Sequence, residues 1–240
     1  MVPGSVFLKA TFALMAVVLI LAAADLVRRG SLACGDDDAL ARRRAWRFLV
    51  LSGIWVAAAL ALAASGVLGR FDATPPPFLL LLPAIVVLGL LIARSTLGDR
   101  LARGVPLAVL VAFQGFRLPL ELMMHRAYTE GLMPVQMSYS GRNFDIVTGA
   151  TALVLAAVMM RRDVPRGVVA AWNVLGLALL VNIVTVAVVS TPRFQYFGPD
   201  RLNVWVTWPP YVLLPTVMVL AAWAGHLVII RALSAHAQKA

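Results

Sequence analysis

Cys34 is the only cysteine among the 240 residues. That excludes an intrachain disulfide and a thiolate cluster for a metal. Lysine is nearly as scarce, with Lys9 and Lys239 against 19 arginines. Neither lies in the last apolar stretch, so the Schiff-base lysine of a retinal protein is missing. Charge is also sparse. Only 13% of the residues are charged, about half the share in a soluble domain. No zinc-ligand spacing, nucleotide-binding loop or serine nucleophile elbow occurs, so the chain has no recognisable catalytic or metal set and implies no cofactor.

What is present is apolar: 61% hydrophobic residues, in blocks too long for a soluble core. The chain therefore reads as one all-α integral membrane domain, 1–240, a polytopic helix bundle in a lipid bilayer. Seven spans can be drawn, at about 7–27, 48–68, 78–93, 105–124, 144–160, 168–190 and 204–230. Leu21-Ala22-Ala23-Ala24 loosely resembles a signal cleavage site, but Arg28 and Arg29 follow it as a stop-transfer signal does.

Arginine placement sets the orientation. Alternate loops and the tail, which holds Arg231 and Lys239, carry fourteen Lys and Arg; the opposite side carries six. The rich side is expected in the cytoplasm, with the N-terminus outside and the C-terminus inside. The net charge of +10 is then a topology signal rather than a nucleic-acid footprint. A six-span alternative omits the polar fourth span. It would put the short loop RRDVPRG outside, against its arginine density. The excess of Arg over Lys with abundant Ala is a habit of GC-rich bacterial genomes, and points to a bacterial inner membrane.

Two patterns concern packing. Gly53, Ala57, Ala61, Ser65 and Gly69 recur every four residues, which suits close helix approach. They fit either internal packing or a sliding or homo-oligomer face. Thr74-Pro-Pro-Pro-Phe78 and Thr207-Trp-Pro-Pro-Tyr211 open the third and seventh spans alike, and hint at a parallel repeat of three spans, a linker and three spans.

The fourth span carries the polar lead. Gln114, Arg117, Glu121 and His125 step by three, four and four residues along one helical face. Ionisable groups at such depth face protein or water. At about 1.5 Å per residue, Arg117 lies ~20 Å from the inner boundary, Glu121 ~25 Å and His125 ~31 Å. The same arithmetic places Asn182 at ~21 Å and Tyr211 ~10 Å below the outer boundary. It puts His226 only ~6 Å from the inner boundary, too far from His125 for a shared haem, with Asn173 as its expected partner. Two readings follow. In one, Gln114, Arg117, Glu121, His125, Asn182 and Tyr211 line an outward pocket for a small polar or anionic ligand, with Arg142, Asn143 and Asp145 at its mouth. In the other, an Arg117–Glu121 ion pair is packing glue in a non-catalytic structural or assembly subunit, and Asn143 or Asp145 merely caps a helix. An embedded enzyme has the least support, since a Glu–His pair without a nucleophile is a weak site.

The block GLMPVQMSYSGRNFDIVTGATA, with WNVLGLALLVNIVTVAVVS and PPYVLLP behind it, resembles a family of uncharacterised bacterial multi-pass membrane proteins. The resemblance runs over about 131–226. It implies a bacterial membrane protein, but no activity and no site residues.

Overall fold

A computed structural model describes residues 4–237; Lys239 lies outside them. The described residues are helical, with no strand. Helix α1 (Val6–Ala33) starts at Ser5, whose side chain accepts from the Leu8 N–H. Asp37 caps α2 (Asp38–Ala64) in the same way. Each side chain satisfies a donor that the first turn leaves free. Helix α3 (Pro77–Arg94) has Pro at its first position, where no N–H is needed. A short amphipathic helix, α4 (Thr96–Gly104), follows. The polar fourth span is broken into α5 (Leu107–Phe113), a 3₁₀ turn at Gln114–Phe116 and α6 (Arg117–Thr129). Pro119 falls in the first turn of α6, so its missing N–H falls where none is used. Gly131, at φ 71°, reverses the chain after α6 as a left-handed residue does. Helices α7 (Asp145–Met159) and α8 (Arg166–Val189) complete the middle. The last span opens as a π-helix, Leu214–Val219, and continues as α9 (Leu220–Ala237).

Six of these segments are long and apolar enough to cross a membrane. The seventh, α7, has 15 residues and reaches ~22 Å, short of a ~30 Å hydrocarbon core. The connections fall at two ends. At one, which we call upper, the Ser5 N–H and hydroxyl both donate to Glu130 at 2.8 Å, and Gln136 donates to Ser190. At the lower end, Arg100 reaches Asp36 and the Cys34 carbonyl, and Arg231 reaches Asp99. Successive segments therefore alternate in direction.

Helix α9 is the axis of the bundle. Trp223 donates to the Val86 carbonyl of α3 and Arg231 to that of Ala93, so α3 and α9 run parallel. The two Pro-rich openings thus sit at the same end. Helix α2 is peripheral. The sequence allowed its small residues to pack internally, and the structure corrects that reading. Gly53, Ala57, Ala61, Ser65 and Gly69 are all exposed, and a Cβ at Gly53 would meet nothing within 4 Å. Trp55, on another face of α2, makes the polar contact inward, donating at 2.9 Å to the Thr216 carbonyl in the π-helix.

Candidate functional site: a saturated ion pair beside an open carboxyl

Close backbone contact between α6 and α7 places the polar groups. A Cβ on Gly149 would lie 2.3 Å from the Leu118 nitrogen, so only glycine admits this approach. It sets Asp145, at the start of α7, against Arg117, at the start of α6. Arg117 Nε donates to Asp145 Oδ2 at 2.8 Å and Nη2 donates to Oδ1. Nη1 and Nη2 both point at the Gly176 carbonyl of α8, and Nη1 lies 2.8 Å from His226 Nε2. A guanidinium has five N–H groups and no acceptor; here each one meets an acceptor. His226 Nε2 must therefore carry the lone pair, and the proton sits on Nδ1. That nitrogen faces Asn173 Oδ1 at 2.8 Å, while Asn173 Nδ2 returns to the His226 carbonyl. Gly176 makes the room: its Cβ would fall 2.5 Å from His226 Cε1.

One turn up α6, Glu121 is as buried as Arg117 but lives differently. Its Oε2 accepts from Asn143 Nδ2 at 2.6 Å. Asn143 is itself held, donating to the Met137 carbonyl and accepting from the Asp145 N–H. Among the described residues no salt bridge reaches Glu121; the one on Arg117 goes to Asp145. Arg117 and Asp145 cancel in charge, and the Glu121 carboxyl is left over.

Glu121 lines a cavity of about 60 Å³ between α3, α6, α8 and the π-helix. Its walls are apolar, including Phe78, Phe116, Leu180 and Met218. Asn203 joins them from the upper loop. Its Nδ2 donates to the Ala187 carbonyl, which fixes the amide orientation. Its Oδ1 is buried without a partner.

The residues singled out from the sequence thus divide. Arg117, Glu121, Asn143 and Asp145 come together, though the ion pair joins Arg117 to Asp145 rather than to Glu121. Gln114 is buried below them and donates to the Ala222 carbonyl. His125 turns aside and stacks on Tyr139, centroids 4.4 Å apart. Asn182 faces outward to the Arg142 carbonyl, away from Arg117. Tyr211 packs in an aromatic group with Phe12 and Trp205. Arg142 lies over the Phe197 ring at 5.3 Å, and Glu130 is bonded by Ser5 and Arg126. His226, set too deep by the sequence arithmetic, belongs to the centre. The error came from counting 204–213 as helix rise. Before Leu213 those residues form a short 3₁₀ turn and further turns, so helical depth accrues only from there. Among the described residues no cluster of three or more His, Cys, Asp or Glu could hold a metal.

The fold and its buried network define an all-helical chain with six apolar helices of membrane-spanning length. No protein-family model, curated protein or solved structure matches it.

Proposed function

We propose that the chain is a seven-span protein of a bacterial inner membrane, N-terminus outside, which binds a small ligand in the cavity beside Glu121. This is the reading of a small-solute transporter or ligand-binding membrane protein. The arginine asymmetry and the alternation of the segments support seven spans. The shortness of α7 fits them because the preceding loop is sunk into the bundle, with Met137, Ser138 and Asn143 buried. Irregular backbone at depth is tolerated when protein covers it. A reporter fused after Arg166 should read cytoplasm; a periplasmic signal there would sink the seven-span topology.

One observation carries the ligand reading: Glu121 is a buried carboxyl lining a cavity, with an amide bonded to it but, among the described residues, no salt bridge. A buried carboxyl with no counter-charge keeps hydrogen-bonding capacity that the fold does not fully use, and a ligand can take it up. The test is thermal unfolding of the purified protein against a panel of amino acids, anions, amines, sugars and lipids. At least one class should stabilise the wild type and not a Glu121→Gln variant. A flat response to the whole panel defeats the reading. The second reading, a structural subunit, draws on Arg117: with all five N–H groups engaged it has none left for a ligand, and serves as glue.

A further inference from the structure

We infer that the groove between α7 and α8, at the lower end of the bundle, seats one anionic phospholipid, with an acyl chain between the helices and the phosphate on Arg162.

The groove follows from how the two helices meet. They touch at Gly176, where a Cβ would fall 2.9 Å from Thr148 Cγ2; the missing side chain lets them approach this closely. One turn lower, Trp172 Nε1 donates to the Thr151 hydroxyl at 3.0 Å, and that hydroxyl donates in turn to the Val147 carbonyl. Below this bridge the helices leave a groove of about 530 Å³. Val154, Leu155 and Val158 line it from α7 and Val168 from α8. Val154 is 65% and Val168 50% exposed, which in a bilayer means exposed to lipid chains. From Thr151 to Val158 the wall runs ~10 Å, room for a segment of one acyl chain. The volume falls in the ~300–1,000 Å³ range of small-molecule sites.

The loop below selects the occupant. Arg161, Arg162 and Arg166 stand there against Asp163, and all four are exposed. Among the described residues no salt bridge reaches any of them. Elsewhere at the lower end arginines are engaged: Arg44 and Arg100 on Asp36, Arg103 and Arg231 on Asp99. Arg162 and Asp163 both line the groove. An unengaged guanidinium thus stands at the polar mouth of an apolar groove, which is the layout of a phospholipid at the membrane edge. A guanidinium takes a phosphate through paired hydrogen bonds. A soluble anion would leave the apolar walls unused, and a chain without a phosphate would leave Arg162 unused. A zwitterionic lipid brings no net charge to answer three arginines against one aspartate. Asp163 can accept from a head that also carries hydroxyl groups, as that of phosphatidylglycerol does.

The experiment uses the full chain in detergent micelles with added dioleoyl phosphatidylglycerol, phosphatidylethanolamine or phosphatidylcholine, and reads melting temperature against lipid concentration. Phosphatidylglycerol should raise it saturably, and at lower concentration than the other two. Arg162→Gln should weaken the apparent affinity about tenfold. Val158→Trp keeps every charge and should abolish the response by filling the groove; Val154→Trp does the same from the exposed wall if Val158→Trp fails to fold. Arg43→Gln removes an exposed arginine of α2, away from the groove, and should change nothing. Glu121→Gln should also leave the response intact, which separates this groove from the cavity on α6. Equal weakening by Arg43→Gln and Arg162→Gln would mean diffuse attraction to surface charge and overturn the inference. So would a response that survives both Arg162→Gln and the groove-filling variant, one that Glu121→Gln abolishes, or equal responses to the three lipids. No response to phosphatidylglycerol would overturn it whatever the wider panel finds for the cavity.

Discussion

Arg117 and Glu121 sit one helical turn apart on α6, equally buried, and differ in what surrounds them. Arg117 meets a carboxylate, a carbonyl and an imidazole, one acceptor for every N–H. Glu121 meets one amide and a cavity. The first arrangement is closed and contributes to the fold; the second is open and is free to respond to what enters. Burial of a charged side chain therefore does not by itself mark function. The count of satisfied groups does.

The comparison breaks most visibly at Arg117. Arg117→Ala leaves Asp145 buried with no counter-charge and His226 facing nothing. Truncating one member of a buried pair costs about 3–5 kcal/mol, measurable as a large fall in thermal or denaturant stability in detergent. Replacing both partners with apolar residues, Arg117→Met with Asp145→Leu, should recover much of that loss. A double variant as unstable as Arg117→Ala would show that the remaining acceptors, not the charge, set the cost.

Gly176→Ala sharpens the same side by pushing rather than removing. The new methyl group would meet the His226 ring, which is pinned at both nitrogens and cannot step back. Overpacking of this kind costs about 1–3 kcal/mol. Stability should fall by that amount, while the ligand-induced stabilisation that depends on Glu121 persists. Loss of binding with intact stability would mean that the two sites are one.

How far the sequence foretold this pair depends on the distance over which each contact acts. The stripe was legible because Gln114, Arg117 and Glu121 share a helical face, and period is a local property. Pairing of Arg117 with Asp145 was not, since 28 residues and a loop separate them; the shorter Arg117–Glu121 spacing suggested itself instead. Asn173 as partner of His226 was expected and is observed. The joint depth of His226 and Arg117 was hidden by treating 204–213 as helix, although Pro209, Pro210 and Pro215 already argued for starting the count later. Asn203 carried no signal at all, because a loop amide acquires meaning only when the bundle closes over it.

Glu121→Gln is the counter-test to Arg117→Ala. The Asn143 hydrogen bond survives the exchange, and no cation is stranded. Stability should change by less than about 1 kcal/mol, or rise. A loss as large as that of Arg117→Ala would place Glu121 in the structural network and leave the open site without its anchor.

The smallest effect is expected at a third carboxylate, where the comparison leaves the spans altogether. Glu130 lies just past α6 and accepts from the Ser5 N–H, the Ser5 hydroxyl and Arg126. Those bonds, the Ser5 N–H foremost, hold its pKa below the ordinary 4.5. The folded state therefore binds fewer protons than the unfolded state in that range. The contribution is complete above the unfolded value and is lost as pH falls through the lower, folded one. Melting temperature followed from pH 7 downward should drop more steeply below about pH 4.5 in the wild type than in Glu130→Gln. Equal slopes would mean that the tie between the N-terminus and the end of α6 contributes nothing to the fold. Glu121 would then be compared with Asp145 alone, one buried carboxyl bonded by an amide and the other by a guanidinium.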